Sequence, residues 1–250
     1  MPEASQRPPR ILVIVPAWNE EGAVGETVGA LRELHPGIEV LVVDDGSSDR
    51  TGDEAEGAGA LVARLPYNLG VGGAMRAGYR YAIRHGYDAG VQVDADGQHD
   101  PAFLTKLVDG LQDSDVVIGA RFAGEGEYRV GLLRGIAMRL LAGTLSRLTG
   151  QRLTDVTSGF RAANRRAMTV FAAHYPAEYL GDTVESLVIA HRSGCRITQV
   201  PVVMRPRTVG QPSQSPVRAA LYLCRAVVAL SLALVRPWPT SLEHSAPEHE

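Results

Sequence analysis

Short β-branched apolar runs recur through the first half of this 250-residue chain, each followed by a polar turn and a stretch of helical periodicity. Residues 11–15, ILVIV, are wholly apolar and end at Pro16, as a strand buried on both faces does. Asn19 reads as the cap of a helix with Glu20, Glu21 and Glu26 in its early turns. Val24, Val28, Leu31 and Leu34 follow at helical spacing, and His35-Pro36-Gly37 stops the helix. The unit then repeats as strand 39–43, helix 49–57, strand 60–64, helix 70–85, strand 89–93, a helix opened by Pro101, and strand 115–119. Parallel strands need crossover connections, so the expected class is α/β, a doubly wound, mostly parallel sheet flanked by helices.

The pattern changes after Arg121. A polar, Gly-rich loop at 124–128 precedes a long amphipathic helix at 130–148, then short strand and helix pieces from 157 to 203. Residues 205–216 are rich in Pro, Gln and Ser and read as a loop, and 217–236 as a strongly apolar helix. Flexible ends are expected at 1–10 and 237–250. The apolar run after the polar N-terminus is too short for a signal-peptide core, and no uninterrupted apolar stretch of about 18 residues suggests a membrane span. Cys195 and Cys224 form neither a disulfide framework nor a zinc spacing, which fits a reducing compartment.

A net charge of −3 gives no case for a nucleic-acid binder. The total conceals a segregation. Residues 1–120 hold 9 basic and 19 acidic side chains, residues 121–236 hold 16 and 6, and the tail adds three Glu. Of 25 basic residues only Lys106 is not Arg, and Arg grips phosphate with a planar fork.

Three strands end in polar signatures: Pro16-Ala17-Trp18-Asn19-Glu20, Asp44-Asp45-Gly46-Ser47 and Asp94-Ala95-Asp96-Gly97-Gln98. In an open parallel sheet these strand ends share one rim, where ligands bind. Asp and Gly after a strand are ordinary turn residues one at a time, but three such signatures on one rim point to a site. Asp94 and Asp96 stand one residue apart and would repel unless a hard cation, Mg2+ or Mn2+, took their oxygens, with Gln98 adding a carbonyl. Such a cation shares its shell with substrate phosphates. Asp45 can accept from a nucleobase or ribose, and Trp18 offers a stacking face. Gly70-Val71-Gly72-Gly73 lacks the third glycine of a dinucleotide fingerprint, since Met75 stands in its place, so it reads as close helix–sheet packing near the nucleotide. His99, beside the carboxylates, reads as a loop contact.

These residues resemble the family 2 glycosyltransferases of GT-A fold, and within them the dolichyl- and polyprenyl-phosphate mannosyl- or glucosyltransferase branch. The resemblance spans about residues 11–215 and rests on ILVIVPAWNEEGAV, EVLVVDDGSSDRT, NLGVGGAMRAGY, VQVDADGQHDP, VIGARF, TDVTSGFR and VPVVMRPRTVG. It implies inverting transfer from a nucleotide sugar, GDP-mannose or UDP-glucose. It also divides the domain at 11–216 into a nucleotide-binding half, 11–120, and an acceptor half, 121–216. Carried over by position, it assigns nucleoside contacts to Pro16, Trp18, Glu20, Val43 and Asp45. The metal and diphosphate motif falls to Asp94, Ala95 and Asp96 with Gln98, and phosphate contacts to Arg121, Arg134 and Arg207. Asp155, Ser158, Gly159 and Arg161 match a motif expected to shape the site. Members with a dolichyl acceptor often carry Lys six residues after the arginine matching Arg207; here that residue is Ser213.

An anionic polyprenyl phosphate needs no general base, whereas an alcohol acceptor would, and Asp182 and Glu185 are the obvious candidates. At 100° per residue Arg218, Arg225 and Arg236 lie within about 20° of one line, as on a helix at an anionic bilayer surface, the alternative being a helix packed on the protein's own core. The expected location is therefore cytoplasmic, peripheral at the inner face of the cell membrane, where a membrane-protein partner could also be met. The same fold and donor with a glycan, lipid or natural-product acceptor is the alternative. A nucleotidyltransferase would want a Gly-rich, basic loop after the first strand, which PAWNEE lacks, and a non-catalytic nucleotide-sugar binder would not need an intact Asp-x-Asp.

Overall fold

The computed structural model describes residues 7–121, 132–176 and 182–205, with the backbone alone for 132–137 and Asp182. The expected loop at 124–128, all but Arg205 of the expected loop at 205–216, helix 217–236 and tail 237–250 lie outside the described residues. The element order is β1 (Ile11–Ala17), α1 (Val24–Leu34), β2 (Glu39–Asp44), α2 (Thr51–Gly57), β3 (Leu61–Arg64), α3 (Gly70–Arg84) and β4 (Ala89–Gln92). A 3-10 turn, Pro101–Phe103, then leads into α4 (Leu104–Asp109), and a second, Gly110–Gln112, precedes β5 (Val116–Ala120). The second part adds α5 (Leu132–Thr149), β6 (Arg161–Asn164), α6 (Arg165–His174), α7 (Asp182–Arg192) and β7 (Ile197–Pro201).

Among the described residues seven strands form one sheet in the order β3-β2-β1-β4-β6-β5-β7. All neighbours are parallel except β6, which runs antiparallel to both β4 and β5. The expected α/β class therefore holds, with one reversed strand that the alternating pattern did not reveal. Reversal has a geometric consequence. The entry to β6 lies beside the exits of β4 and β5, because Arg161 pairs with Gln92 on one side and Ile118 on the other. The loop before β6 thus joins the rim formed by the parallel strand ends.

Two apolar layers cover the sheet. Leu12, Ile14, Leu41 and Val43 face α3, α6 and α7, while Val13, Val15, Val40 and Val42 face α1 and α4. That alternation is why these strands read as unbroken apolar runs. Helix α3 lies close on β1 at Gly78, where an added Cβ would stand 2.4 Å from Ile14 Cγ2. Of the Gly70–Gly73 run, where close helix–sheet packing is expected, Gly70, Gly72 and Gly73 are buried. Gly78→Val is expected to lower stability by about 1–3 kcal/mol through overpacking. An unchanged urea midpoint would exclude that contact.

Asn19 does not cap α1. The helix begins at Val24, and Asn19 sits in the left-handed region at φ 52°, where a capping residue would be extended. Its side-chain oxygen accepts instead from the Ser48 amide at 2.9 Å, tying the β1 exit to the β2 exit.

Candidate active site

Each proposed nucleoside and metal residue stands at or just beyond the C-terminal end of a parallel strand. Pro16 and Val43 lie in the last two residues of β1 and β2, Trp18 and Glu20 follow β1, Asp45 follows β2, Asp94, Ala95 and Asp96 follow β4, and Arg121 follows β5. The β1 and β2 exits are laced together. The Asn19 amide donates to Ser47 Oγ (3.0 Å) and the Glu20 amide to Thr51 Oγ1 (2.8 Å). Trp18 is 53% exposed, so its ring is presented outward rather than spent in the core.

Asp45 is buried, and its oxygens accept from the Leu69 and Gly70 amides, both at 2.7 Å. Both amides lie at the start of α3, where a helix offers its own N–H groups no backbone acceptor. Gly70 reaches this geometry at φ 81°, a glycine conformation. Burial pushes the Asp45 carboxyl up, and the two amides only partly restrain it. The GVGG run thus anchors Asp45, and each carboxylate oxygen has a second lone pair for a ligand.

Asp94 and Asp96 sit on the turn after β4. The Gln98 amide donates to Asp96 Oδ1 (3.0 Å), and the Gln98 carbonyl accepts from the Arg205 amide (2.9 Å). Arg205 also pairs with Asp100 at 2.8 Å. Ala95 is buried, and its carbonyl accepts from Thr27 Oγ1 at 2.9 Å, pinning the turn to α1. Gln92, almost wholly buried, directs Nε2 to Asp94 Oδ1 at 3.3 Å, while its Oε1 has no partner among the described residues. Among those residues no group of three or more His, Cys, Asp or Glu is arranged to hold a metal alone. Two hard carboxylates on one turn fit a Mg2+ or Mn2+ that completes its shell with water and phosphate oxygens.

Beside this turn lies an ion pair the sequence reading did not assemble. Asp155 is fully buried and holds the Arg121 fork, with Nε to Oδ2 at 2.6 Å and Nη2 to Oδ1 at 2.9 Å. Thr157 Oγ1 accepts a further Arg121 bond at 3.0 Å. Burial pushes the Asp155 carboxyl up, but the hydrogen bonds and charge of Arg121, with the Thr157 hydroxyl, outweigh it and hold the carboxyl below its ordinary value. Arg121 is therefore fixed at the rim by a buried counter-charge.

Arg161, also buried, spreads its donors over the Ser158, Val156 and Thr183 carbonyls and Ser186 Oγ, at 2.7, 2.8, 2.7 and 3.0 Å. It joins the 155–160 loop to the first turn of α7, so the backbone of Asp182 starts α7 against this loop. Gly159 is required by close approach: an added Cβ would stand 2.9 Å from Asp94 Oδ1 and 3.0 Å from Oδ2. The side chains of Arg134 and Asp182, and all of Arg207, lie outside the described residues. The motif expected to shape the site, Asp155, Ser158, Gly159 and Arg161, is where the structure places its buried polar contacts.

The family model described as Glycosyl transferase family 2 matches residues 12–171. The chain is 37% identical over 216 residues to an undecaprenyl-phosphate mannosyltransferase of Micrococcus luteus, covering 82% of this chain and 88% of that protein. It is 32% identical to a polyprenol monophosphomannose synthase of Mycolicibacterium smegmatis, covering 85% and 84%. Among solved structures, glucosyl-3-phosphoglycerate synthase of Mycobacterium tuberculosis, in complex with Mn2+, UDP and glucosyl-3-phosphoglycerate, superposes with a TM-score of 0.70. That match is 23% identical and covers 92% of this chain and 81% of that one. The fold is of the GT-A type.

Proposed function

The chain belongs to glycosyl transferase family 2, and from that premise we propose that it moves a hexose, mannose before glucose, from a nucleotide sugar to a polyprenyl phosphate with inversion. The observation that carries this reading is the rim itself. A carboxylate pair fit for a cation stands beside an arginine held by a buried counter-charge, so diphosphate and acceptor phosphate both have a place. The names of the two relatives, a mannosyltransferase and a phosphomannose synthase acting on polyprenyl carriers, favour this acceptor and mannose.

An acceptor phosphate is already anionic near neutral pH. One of its oxygens attacks the anomeric carbon, the bond to the nucleoside diphosphate breaks, and the electron pair leaves with the diphosphate. No proton has to be removed, so the work of the chain is positioning and charge stabilisation. Asp94 and Asp96, with Gln98, would hold a Mg2+ or Mn2+, which supplies Lewis-acid stabilisation to the leaving diphosphate. Trp18, Asp45 and the neighbouring Pro16, Glu20 and Val43 receive the nucleoside. Arg121, with Arg134 and Arg207, meets phosphate oxygens. Asp182 would act as a base only toward an alcohol acceptor. No described helix is long and apolar enough to cross a membrane. Contact with the bilayer is assigned to the Arg-striped segment 217–236, at the inner face of the cell membrane.

The test is a donor and acceptor panel. GDP-mannose and UDP-glucose are each incubated with undecaprenyl phosphate or with free sugar alcohols, and lipid-linked hexose and nucleoside diphosphate are quantified. Transfer to the lipid phosphate, lost with EDTA and restored by Mg2+ or Mn2+, is expected. Transfer to sugar alcohols but not to the lipid phosphate would overturn the acceptor assignment, and release of pyrophosphate would indicate nucleotidyl transfer.

A further inference from the structure

We propose that His99 is a positioning residue that presets Asp94 for the cation, an inference that rests on reading Asp94 as a metal ligand. His99 is 4% exposed, although it belongs to a polar turn. Its Nδ1 accepts from the Asp94 amide at 3.0 Å, and its Nε2 stands 3.5 Å from Asp94 Oδ2. One ring therefore touches both the backbone and the carboxylate of the same residue.

The hydrogen-bond pattern assigns the tautomer. An Nδ1 that accepts from an amide carries no proton, which leaves Nε2, on the side of the ring near the carboxylate, as the nitrogen that bears one. The Nδ1 lone pair is spent on the amide, and Nε2 stands 3.5 Å from Asp94 Oδ2. His99 thus serves the cation through Asp94 and not as a ligand.

The ring is itself immobilised. It stacks on Phe160 with centroids 4.8 Å apart and planes 12° from parallel, and its backbone forms an antiparallel bridge with Met204. Gln92 Nε2 approaches the other carboxylate oxygen of Asp94, and Gly159 leaves the space the carboxylate occupies. Asp94 is held from three sides yet its side chain remains 42% exposed, so it is oriented without being covered. Groups that orient metal ligands in this way typically change metal affinity about 10–100-fold when removed.

The experiment measures Mn2+ alone, titrated into the full chain and followed by loss of the free-ion EPR signal, for the parent, Asp94→Asn, His99→Phe and His99→Asn. Phenylalanine keeps a flat ring against Phe160 and removes both polar contacts. Asparagine Oδ1 replaces Nδ1 as acceptor for the Asp94 amide but loses the reach to the carboxylate and the stacking on Phe160. The expected result is strong weakening in Asp94→Asn, at least tenfold weaker binding in His99→Phe, and a loss between His99→Phe and parent in His99→Asn. Val170→Ala, a core change in α6, supplies a variant of lowered melting temperature whose Mn2+ affinity should equal the parent's. That control separates positioning from general destabilisation. Should His99→Phe not fold, His99→Asn carries the test with a threshold of twofold. If Asp94→Asn weakens Mn2+ but the His99 variants stay within twofold of parent, this inference is wrong and the metal reading stands. If Asp94→Asn binds Mn2+ as the parent does, the metal reading itself fails.

Discussion

Asp96→Asn is expected to lower kcat for hexose transfer by about 10³-fold or more while leaving the fold intact, because it removes charge and almost no geometry. Asparagine Oδ1 can accept the Gln98 amide bond that Asp96 Oδ1 now accepts. A melting curve close to the parent's is therefore expected, and the loss belongs to the chemistry. With one carboxylate gone, the cation has a weaker hold and the departing diphosphate loses its counter-charge. Single-turnover transfer of labelled hexose, run beside thermal melts, reads both quantities. Activity within tenfold of the parent, at ordinary Mn2+ or Mg2+, would remove Asp96 from the proposed machinery.

The second large effect concerns stability. Asp155→Ala is expected to cost about 3–5 kcal/mol, since it leaves the Arg121 guanidinium at a largely buried position without its counter-charge. For a domain of this size that is a melting-temperature drop of roughly 10 °C. The effect also has a pH signature. Arg121 and its companions hold the Asp155 carboxyl below its ordinary value in the folded chain. Its contribution is then fully present above the unfolded-state value of about 3.9 and is lost as pH falls through the lower folded value. Asp45 has the opposite sign: its carboxyl is raised by burial, so stability falls as pH rises through it. Comparing parent with Asp155→Ala cancels Asp45. In urea melts the gap between the two proteins should be constant near neutral pH and narrow toward pH 3. A gap independent of pH down to 3 would mean that the ionised carboxylate is not what stabilises the loop.

The first half of the chain was readable because its signals are local. Residues 12–15 and 40–43 are buried on both faces and therefore apolar throughout, and the three strand-end signatures needed only the rule about parallel sheets to fall on one rim. Asn19 marks where local signals stop deciding the structure. Asn favours both helix caps and left-handed turns, and the choice was made by Ser48, 29 residues away. Strand β6, RAAN, is too short to show a period, and its partners lie about 45 and 70 residues back in the chain. Asp155 and Arg121, 34 residues apart, became a pair only once β6 was reversed. His99 read as a loop contact because nothing in a polar turn announces that its imidazole will be buried against Phe160. The resemblance pointed to the residues around 155–161, and the structure supplied what they touch.

The reversed strand also bears on how a ribosome can deliver this enzyme. When residue 120 has emerged, β4 has its neighbour β1 but presents an unpaired edge, and β5 has no partner at all. Both must wait for a four-residue segment made some 40 residues later, and β5 waits again for β7. Nascent chains grow at about 5–20 residues per second, so these edges stay open for seconds, long enough to pair with another chain or recruit a chaperone. The segment up to residue 120 is thus no autonomous module that could be excised, fused or inherited by itself. Its carboxylates acquire their final surroundings only when the far end of the sheet closes, which ties the onset of activity to the completion of synthesis.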